Sequence, residues 1–559
     1  MKKKKFLHKF IKFIILLKKE VIFSIIIATM LSVVGIIETL IFSYIIDNIL
    51  IFNTKYTLFT GIIIFLLVGF LQVTLTSLKN IIIQKTAYNL DFYLVNIFYQ
   101  KILDLNFDFL NKTTTGDLIS RFNDVQKVRK SLSEGFISII SNIFIFVFIG
   151  SFLFCMNKIL FLILFICIIF LLFVASYYGL FFHNECSLAL KKYSDVQSFI
   201  IETLYCIETI KTYPAKKEFQ NEYQKRQKKS LLKNWNIEEK NILYNFYVSL
   251  IEKISIIIII FCSCFFVTND KSSLGDVFCF ISLSSFFVNS VKNLLNLQSD
   301  IFESFAAMKR LFLLLDEDGE VYDKKLISMD ISPNIKFENI YFSYNSKNFI
   351  YENLNLNIVA GTWIAFIGET GCGKTTIAKL LLKLYIPQKG KILFNNVDLN
   401  LLDTTWLRSK IAYISQDIVL FSGTIIDNMS LFNETITFDK IVEVAKLVGI
   451  HDKIQGLPHQ YNSIIGERGI FLSGGERQKI AIARALLKKA FIYIFDEVTS
   501  NLDYKSERKI SDLVFMLKQQ GCTIISIAHR LSSIEKCDKI YVLEKGNIIK
   551  SGSFIELNL

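Results

Sequence analysis

Charge is scarce in this chain. Asp, Glu, Lys and Arg supply 20% of its 559 residues, against 52% hydrophobic and 14% aromatic residues. So little charge excludes a soluble enzyme of this size, and the length exceeds one ordinary domain. Metal-binding and redox cysteine patterns are absent as well. The ten cysteines are scattered, only Cys262 and Cys264 lie close together, and their spacing matches neither a zinc site nor a redox pair. Free thiols are expected. A secretory cleavage site is missing too: Lys2 to Lys5 followed by Phe10 to Leu17 has the outline of a signal peptide, but no small-residue site follows before the next apolar stretch. The segment is expected to stay attached. Lys9, Lys12, Lys18 and Lys19 around the apolar run suit a short helix lying along the inner membrane surface.

Long apolar runs, by contrast, are plentiful. A spanning helix needs about 20 predominantly apolar residues, and six stretches qualify: 21–46, 57–78, 136–156, 159–182, 243–267 and 277–295. The turns Asp47 to Tyr56, Asn157 to Lys158 and Asn269 to Asp276 carry few positive charges, whereas Gln84 to Gly135 and His183 to Ile242 are rich in Lys and Arg. The positive-inside rule therefore places the N-terminus, both long segments and everything after the sixth span in the cytoplasm. The net charge of +13 is explained by these flanks facing anionic lipid, so no nucleic acid partner is expected. Apolar positions at helical spacing, such as Leu94, Ile97, Phe98 and Ile102, extend the membrane helices into the cell. From about Pro333 the texture changes to short β-type runs (Ile335 to Phe342, Trp363 to Ile367, Phe491 to Phe495, Thr523 to Ala528) alternating with helical stretches. The expected fold is an α-helical membrane domain (1–315), a linker (316–333) and an α/β P-loop domain (334–559).

Gly368, Glu369, Thr370, Gly371, Cys372, Gly373, Lys374 and Thr375 match G-x-x-x-x-G-K-[ST], between an apolar strand and a helix that includes Thr376. Backbone N–H groups and the helix N-terminus suit phosphate oxygens, Lys374 suits the β/γ-phosphates of ATP, and Thr375 suits Mg²⁺. A Gly-rich turn is the plain alternative. Further on, the strand Ile492 to Phe495 ends in Asp496 and Glu497, which fit one carboxylate for magnesium and one to polarise the attacking water. Acids at a strand end also cap helices; the preceding P-loop favours the catalytic assignment.

Leu472-Ser-Gly-Gly-Glu-Arg-Gln478 carries a Ser-Gly-Gly core, and with it the chain resembles the ABC transporter superfamily. The resemblance implies that Ser473, Gly474, Gly475 and the neighbouring Glu476 meet the γ-phosphate held by the opposite subunit's P-loop, so a second half-transporter is required. A homodimer is the simpler expectation. It also implies that Tyr344 stacks on adenine, that Gln416 senses magnesium and water, that Asp503, in Ser500 to Asp503, communicates across the dimer, and that His529 is the switch histidine. Glu476 departs from the usual Gln, and Cys372 stands where a small hydroxyl residue is usual.

Six spans ahead of one ATPase resemble an exporter-type half-transporter, with segments 107–125 and 201–213 similar to the two intracellular loops that dock on the ATPase. The closest texture is that of bacterial peptide and bacteriocin exporters, from segments 43–50 and 293–316. That resemblance implies export of a peptide or other amphipathic cargo through a multi-pass protein of the plasma membrane, surrounded by lipid, with its ATPase in the cytoplasm. Spans beginning within about 20 residues leave no room for the N-terminal peptidase that many of that group carry, so any leader is expected to be cut elsewhere. The same machinery serves lipid flippases and multidrug pumps. A channel or regulatory protein that uses ATP only as a gate has less support, because Lys374, Glu497 and His529 favour turnover. A non-transporting ABC ATPase of DNA repair or translation is opposed by the six spans.

Glu252 and Lys253, adjacent opposite charges in the fifth span, suit a position near the membrane surface. Glu38 lies within the first span, where an ionisable group is costly and by default functional; it either lines a translocation cavity or is paired with a neighbouring helix. On the cavity reading Glu38→Gln lowers transport into inside-out vesicles severalfold, and transport retained at the wild-type rate assigns the residue to structure instead.

Overall fold

Burying backbone polar groups in hydrocarbon is tolerated only when each finds a partner within its own helix, and the N-terminal part of the chain is built almost wholly that way. The computed structural model describes residues 18–50, 55–268, 273–317, 319–320, 333–345, 348–466, 469–498, 504–528 and 534–558. The expected interfacial helix before Lys18 lies outside them. In chain order the helices are α1 (Lys18–Tyr44, continued by a π-helical stretch Ile45–Leu50), α2 (Lys55–Asp104), the short α3 (Phe107–Lys112), α4 (Thr115–Lys130), which runs through a π-helical stretch into α5 (Phe136–Met156), α6 (Lys158–Tyr205), the short α7 (Ile207–Thr212), α8 (Lys216–Thr268) and α9 (Leu274–Leu315). Among the described residues, six helices are long and apolar enough to cross a membrane. They extend well past the apolar windows, as the spacing of Leu94 to Ile102 implied.

Large apolar side chains point outward along these helices, Leu66, Phe70 and Phe173 among them at 65%, 72% and 70% exposure; such a surface requires a lipid surround. Several hydroxyls inside the spans are satisfied locally, whereas those of Tyr244 and Ser263 are enclosed with no hydrogen-bond partner among the described residues. Thr39 donates to the Ile36 carbonyl at 2.8 Å, Ser284 to Phe280 at 2.6 Å and Ser290 to Phe287 at 2.7 Å. Contact between spans relies on small residues and stacked rings. Phe287 of α9 stacks on Phe146 of α5 at 4.5 Å, over Gly150, where an added Cβ would come within 2.8 Å of the ring. Asn157, extended at φ −153°, makes the turn between α5 and α6 and caps the latter by accepting from the Ile159 and Leu160 amides.

Some charges are paired across helices. Glu252 receives Lys292 of α9 at 2.7 Å. Arg310 of α9 bridges Asp117 and Asp124 of α4, both at 3.1 Å. One oxygen of Glu38 is enclosed with no hydrogen-bond partner among the described residues, so the paired reading of that carboxylate gains no support.

The rest of the chain is α/β. Its strands and helices are β1 (Ile335–Phe342), β2 (Tyr351–Ile358), β3 (Trp363–Gly368), α10 (Lys374–Leu381), β4 (Lys389–Phe394), β5 (Val397–Asp398), α11 (Thr404–Lys410), β6 (Ile411–Ile414), α12 (Ile425–Ser430), α13 (Phe438–Val448), α14 (His451–Gln455), α15 (Gly474–Leu487), β7 (Ile492–Asp496), α16 (Tyr504–Gln519), β8 (Thr523–Ile527), β9 (Lys539–Glu544) and β10 (Asn547–Gly552). One sheet is antiparallel, in the order β2-β1-β4-β5. The other runs β10-β9-β3-β8-β7-β6 and is parallel from β9 to β6. Its strands β7 and β8 are buried at every position, the reason they read as continuous apolar runs.

The chain divides into two compact units, one comprising Met1–Leu105 and Phe109–Asp318, the other Gly319–Leu559 together with Asn106–Asp108. Within the second unit Phe107 sits edge-on against Tyr385, ring centroids 5.7 Å apart.

In the first unit, Asp47 at the end of α1 accepts from the Ser273 hydroxyl at 2.6 Å and from the Gly275 amide at 2.8 Å, at the start of α9. A carboxylate there also meets the positive end of the helix. An added Cβ on Gly275 would lie 2.3 Å from an Asp47 oxygen and 2.6 Å from the Ser43 carbonyl. Gly275→Ala is therefore expected to cost about 1–3 kcal/mol through overpacking, read as a lowered thermal midpoint of the detergent-solubilised protein; an unchanged midpoint would show that α1 and α9 separate freely.

Candidate nucleotide-binding site

In a parallel sheet, loops that leave the carboxyl ends of adjacent strands converge, and ligands bind in the crevice they form. The β3, β6 and β7 ends carry the residues singled out from the sequence. The loop after β3 turns through Gly368 at φ +148°, where an added Cβ would lie 2.1 Å from the Leu543 carbonyl, and through Gly373 at φ +109°, where one would lie 2.8 Å from the Tyr351 hydroxyl. Only glycine fits both. Lys374, almost fully buried, folds back onto the loop and donates to the Gly368 and Glu369 carbonyls at 2.7 and 2.9 Å. Glu369, Thr370 and Gly371 are exposed at the mouth, so the loop amides face an open cradle at the N-terminus of α10.

Thr375 donates through its hydroxyl to Asp496 Oδ1 at 3.2 Å, which joins the β3 loop to the end of β7. Asp496 is wholly buried. Burial pushes its carboxyl above the usual range, while hydrogen bonds from Tyr413 and Thr375 oppose that rise. The next residue, Glu497, adopts φ +54°, a left-handed conformation that costs about 1–3 kcal/mol and is commonly kept at functional sites. Its carboxylate accepts from the Gln416 side-chain amide at 2.7 Å. Thr375, Asp496, Glu497 and Gln416 are thus brought together.

Hydroxyl, carboxylate and carboxamide oxygens are the hard donors that Mg²⁺ prefers. No group of three or more His, Cys, Asp or Glu able to hold a metal exists among the described residues. A cation here would accordingly share its coordination with phosphate oxygens, as magnesium does when it arrives with a nucleotide.

Tyr344 reaches the same helix, its hydroxyl 3.1 Å from the Thr376 hydroxyl and its ring edge-on to Tyr385 at 5.0 Å. The Lys379 ammonium stands 5.7 Å from its ring centre. Ser473, Gly474, Gly475 and Glu476 form the start of α15, and none of them is hydrogen-bonded to the P-loop among the described residues. Ser473 and Glu476 make a reciprocal cap: the Ser473 amide donates to the Glu476 carboxylate at 2.9 Å, and the Glu476 amide to the Ser473 hydroxyl at 3.3 Å. Burial alone would raise the Glu476 carboxyl, but the Ser473 groups and Lys453, at 3.3 Å, hold it below the usual range. Its negative charge is therefore partly neutralised where a Gln is usual. Asp503 and His529 lie outside the described residues.

Three side chains escaped the sequence reading. Tyr413 donates to Asp496 Oδ2 at 3.0 Å, the Tyr351 hydroxyl donates to the Gly373 carbonyl, and Lys453 pairs with Glu476. Tyr413 lies three residues before Gln416 on a buried strand, and only the pairing of that strand with β7 reveals its target.

Comparisons with known proteins place the whole chain. The family described as ABC transporter transmembrane region matches residues 21–291, and that described as ABC transporter matches residues 351–500. The chain is similar to the Alpha-hemolysin translocation ATP-binding protein HlyB of Proteus vulgaris, 32% identical over 98% of this chain and 78% of that protein. It is also similar to the Toxin RTX-I translocation ATP-binding protein of Actinobacillus pleuropneumoniae, 30% identical over 98% and 78%. In fold it is similar to a bacterial Atm1-family ABC exporter solved with ATP bound, at a TM-score of 0.90 and 24% identity, covering 97% of this chain and 96% of that one.

Cys372 is 6% exposed, and its Sγ lies 4.0 Å from the Lys374 ammonium. Alkylation at this position puts bulk among the phosphate-binding groups and is expected to abolish nucleotide binding. Labelling should be slow, and prior saturation with nucleotide should suppress it. Fluorescent-nucleotide titration after modification confirmed by mass spectrometry tests this, with Cys372→Ser as the insensitive control; unchanged affinity of the modified protein overturns it.

Proposed function

The chain belongs to the ABC transporter superfamily, with its transmembrane region and ATP-binding ATPase in one polypeptide, and from that premise we propose that it exports a protein or peptide out of the cytoplasm. It is a multi-pass membrane protein and a half-transporter of the exporter type. The observation that carries the cargo class is near-complete alignment, spans and ATPase alike, with proteins named for toxin translocation.

On this reading two copies pair in the plasma membrane with their ATPase units in the cytoplasm. The P-loop amides and Lys374 hold the β/γ-phosphates of ATP, Tyr344 meets the adenine, and Ser473, Gly474, Gly475 and Glu476 of the opposite copy close the site. Thr375, Asp496 and Gln416 hold Mg²⁺, which when bound offsets phosphate charge and orients the transferring group. Glu497 polarises the attacking water, while His529 contacts the γ-phosphate and Asp503 links the two sites. The Gln416–Glu497 hydrogen bond supports a shared role, since the residue that senses magnesium and the residue that prepares the water constrain one another. Closure of the paired ATPases would then rock the spans between inward-open and outward-open states.

ATP-dependent uptake into inside-out vesicles containing this chain alone, with peptides, dyes and lipids compared, tests the proposal. Peptide uptake that disappears in Glu497→Gln is the expected result. Uptake of dyes or lipids in place of peptides overturns the cargo class, and no uptake by folded, ATP-binding protein leaves the homodimer unsupported and points to a missing partner chain or an untested cargo.

A further inference from the structure

Resting on the nucleotide-site reading above, we infer that Tyr413 is a positioning residue that fixes the orientation of the Asp496 carboxylate for its metal. Asp496 is wholly buried, and each of its oxygens has one described hydroxyl partner: Thr375 donates to Oδ1 at 3.2 Å and Tyr413 to Oδ2 at 3.0 Å. The two hydroxyls differ in what they can do. Thr375 belongs to the P-loop and is itself assigned to the magnesium ion, so its bond to Oδ1 is available for exchange when the ion arrives. Tyr413 stands outside the loop, with no assigned contact to nucleotide, and its hold on Oδ2 does not compete with the ion.

Strand geometry explains why a tyrosine is needed at this place. Strands β6 and β7 are parallel, and Tyr413 is in register with Ile494, two residues short of Asp496. Residues two apart on a strand share a face and lie roughly 6.6 Å apart along it. A phenol spans that distance along the strand direction, whereas Ser or Thr at 413 would fall short. The ring is half-buried beside the core cluster that contains Ile492 and Ile494 of β7. A carboxylate tethered at one oxygen presents the other in a fixed direction, which is the preorganisation a metal site requires from the residues behind its ligands.

Removing the hydroxyl alone, in Tyr413→Phe, keeps the ring and its packing. The expected outcome is unchanged affinity for a fluorescent ATP analogue in EDTA, together with about a tenfold higher half-saturating Mn²⁺ concentration for the nucleotide-loaded protein, followed by the Mn²⁺ electron paramagnetic resonance signal, as suits loss of a hydrogen bond to a charged group. A double-mutant cycle guards against a general loss of structure: in an Asp496→Asn background Tyr413→Phe should change metal binding little further. Unaltered Mn²⁺ half-saturation in the single variant, or an equal additional loss in the Asp496→Asn background, overturns the assignment and leaves Tyr413 a packing residue. Wild-type protein that binds nucleotide with no metal-dependent component overturns the nucleotide-site reading itself, an outcome visible before either variant is made.

Discussion

The buried carboxylate of Asp496 ties together parts of the chain that lie far apart in sequence. Through Thr375 it reaches the P-loop and the helix behind it, and through Tyr413 it reaches the neighbouring strand. Its burial would be costly without those donors, because an ionised group removed from water must be compensated by hydrogen bonds or opposite charge. The consequence is a small set of permissible arrangements. The β3 loop, β6 and β7 must end at the same level for the two hydroxyls to meet one carboxylate, and the parallel pairing of β6, β7, β8 and β3 delivers that alignment. Glu497 in its left-handed turn and Gln416 after β6 inherit their positions from the same strand ends.

A comparable economy governs the membrane unit. Lipid offers backbone groups no partners, so the spans satisfy theirs within each helix, as do many of their hydroxyls, and the spans meet one another through small residues and stacked rings. Several ionised groups are paired between helices, within the spans and beyond them, although Asp117 also takes Arg121 of its own helix. Arg310 spans two carboxylates of α4, and Glu252 takes Lys292 from α9. Both contacts involve α9, which also receives Asp47 at its start. A single helix therefore collects cross-links along much of its length, and displacement of α9 would disturb each of them.

Apolar runs are legible because hydropathy is local, and six spans and their extension past the apolar windows could be read from the sequence. The same holds for the P-loop, whose glycines and Lys374 are contiguous and whose backbone conformation follows from residue type. Residues that act across strands are not legible in this way. Tyr413 shows no motif, since its function depends on the register of β6 against β7, which no local pattern specifies. Glu252 shows the same limit: adjacent residues on a helix do not face each other, and its partner Lys292 stands on another helix, 2.7 Å away. Glu476 departs from the usual Gln, and what surrounds its charge, the reciprocal cap with Ser473 and the ammonium of Lys453, cannot be read from the sequence.

The grouping of Asn106–Asp108 with the ATPase unit bears on biosynthesis. Chains emerge from the ribosome N-terminal end first, and domains generally fold as units. Phe107 is thus made more than two hundred residues ahead of Tyr385, the ring it lies against. Until that later stretch has folded, an aromatic side chain between two membrane helices has no native seat and is open to the attention of chaperones. A polypeptide trimmed to the α/β region would carry the reverse defect, with the edge of Tyr385 bare where Phe107 belongs. The boundary at residue 319 is therefore not the only one: a short segment made among the membrane helices takes its place in the unit synthesised last.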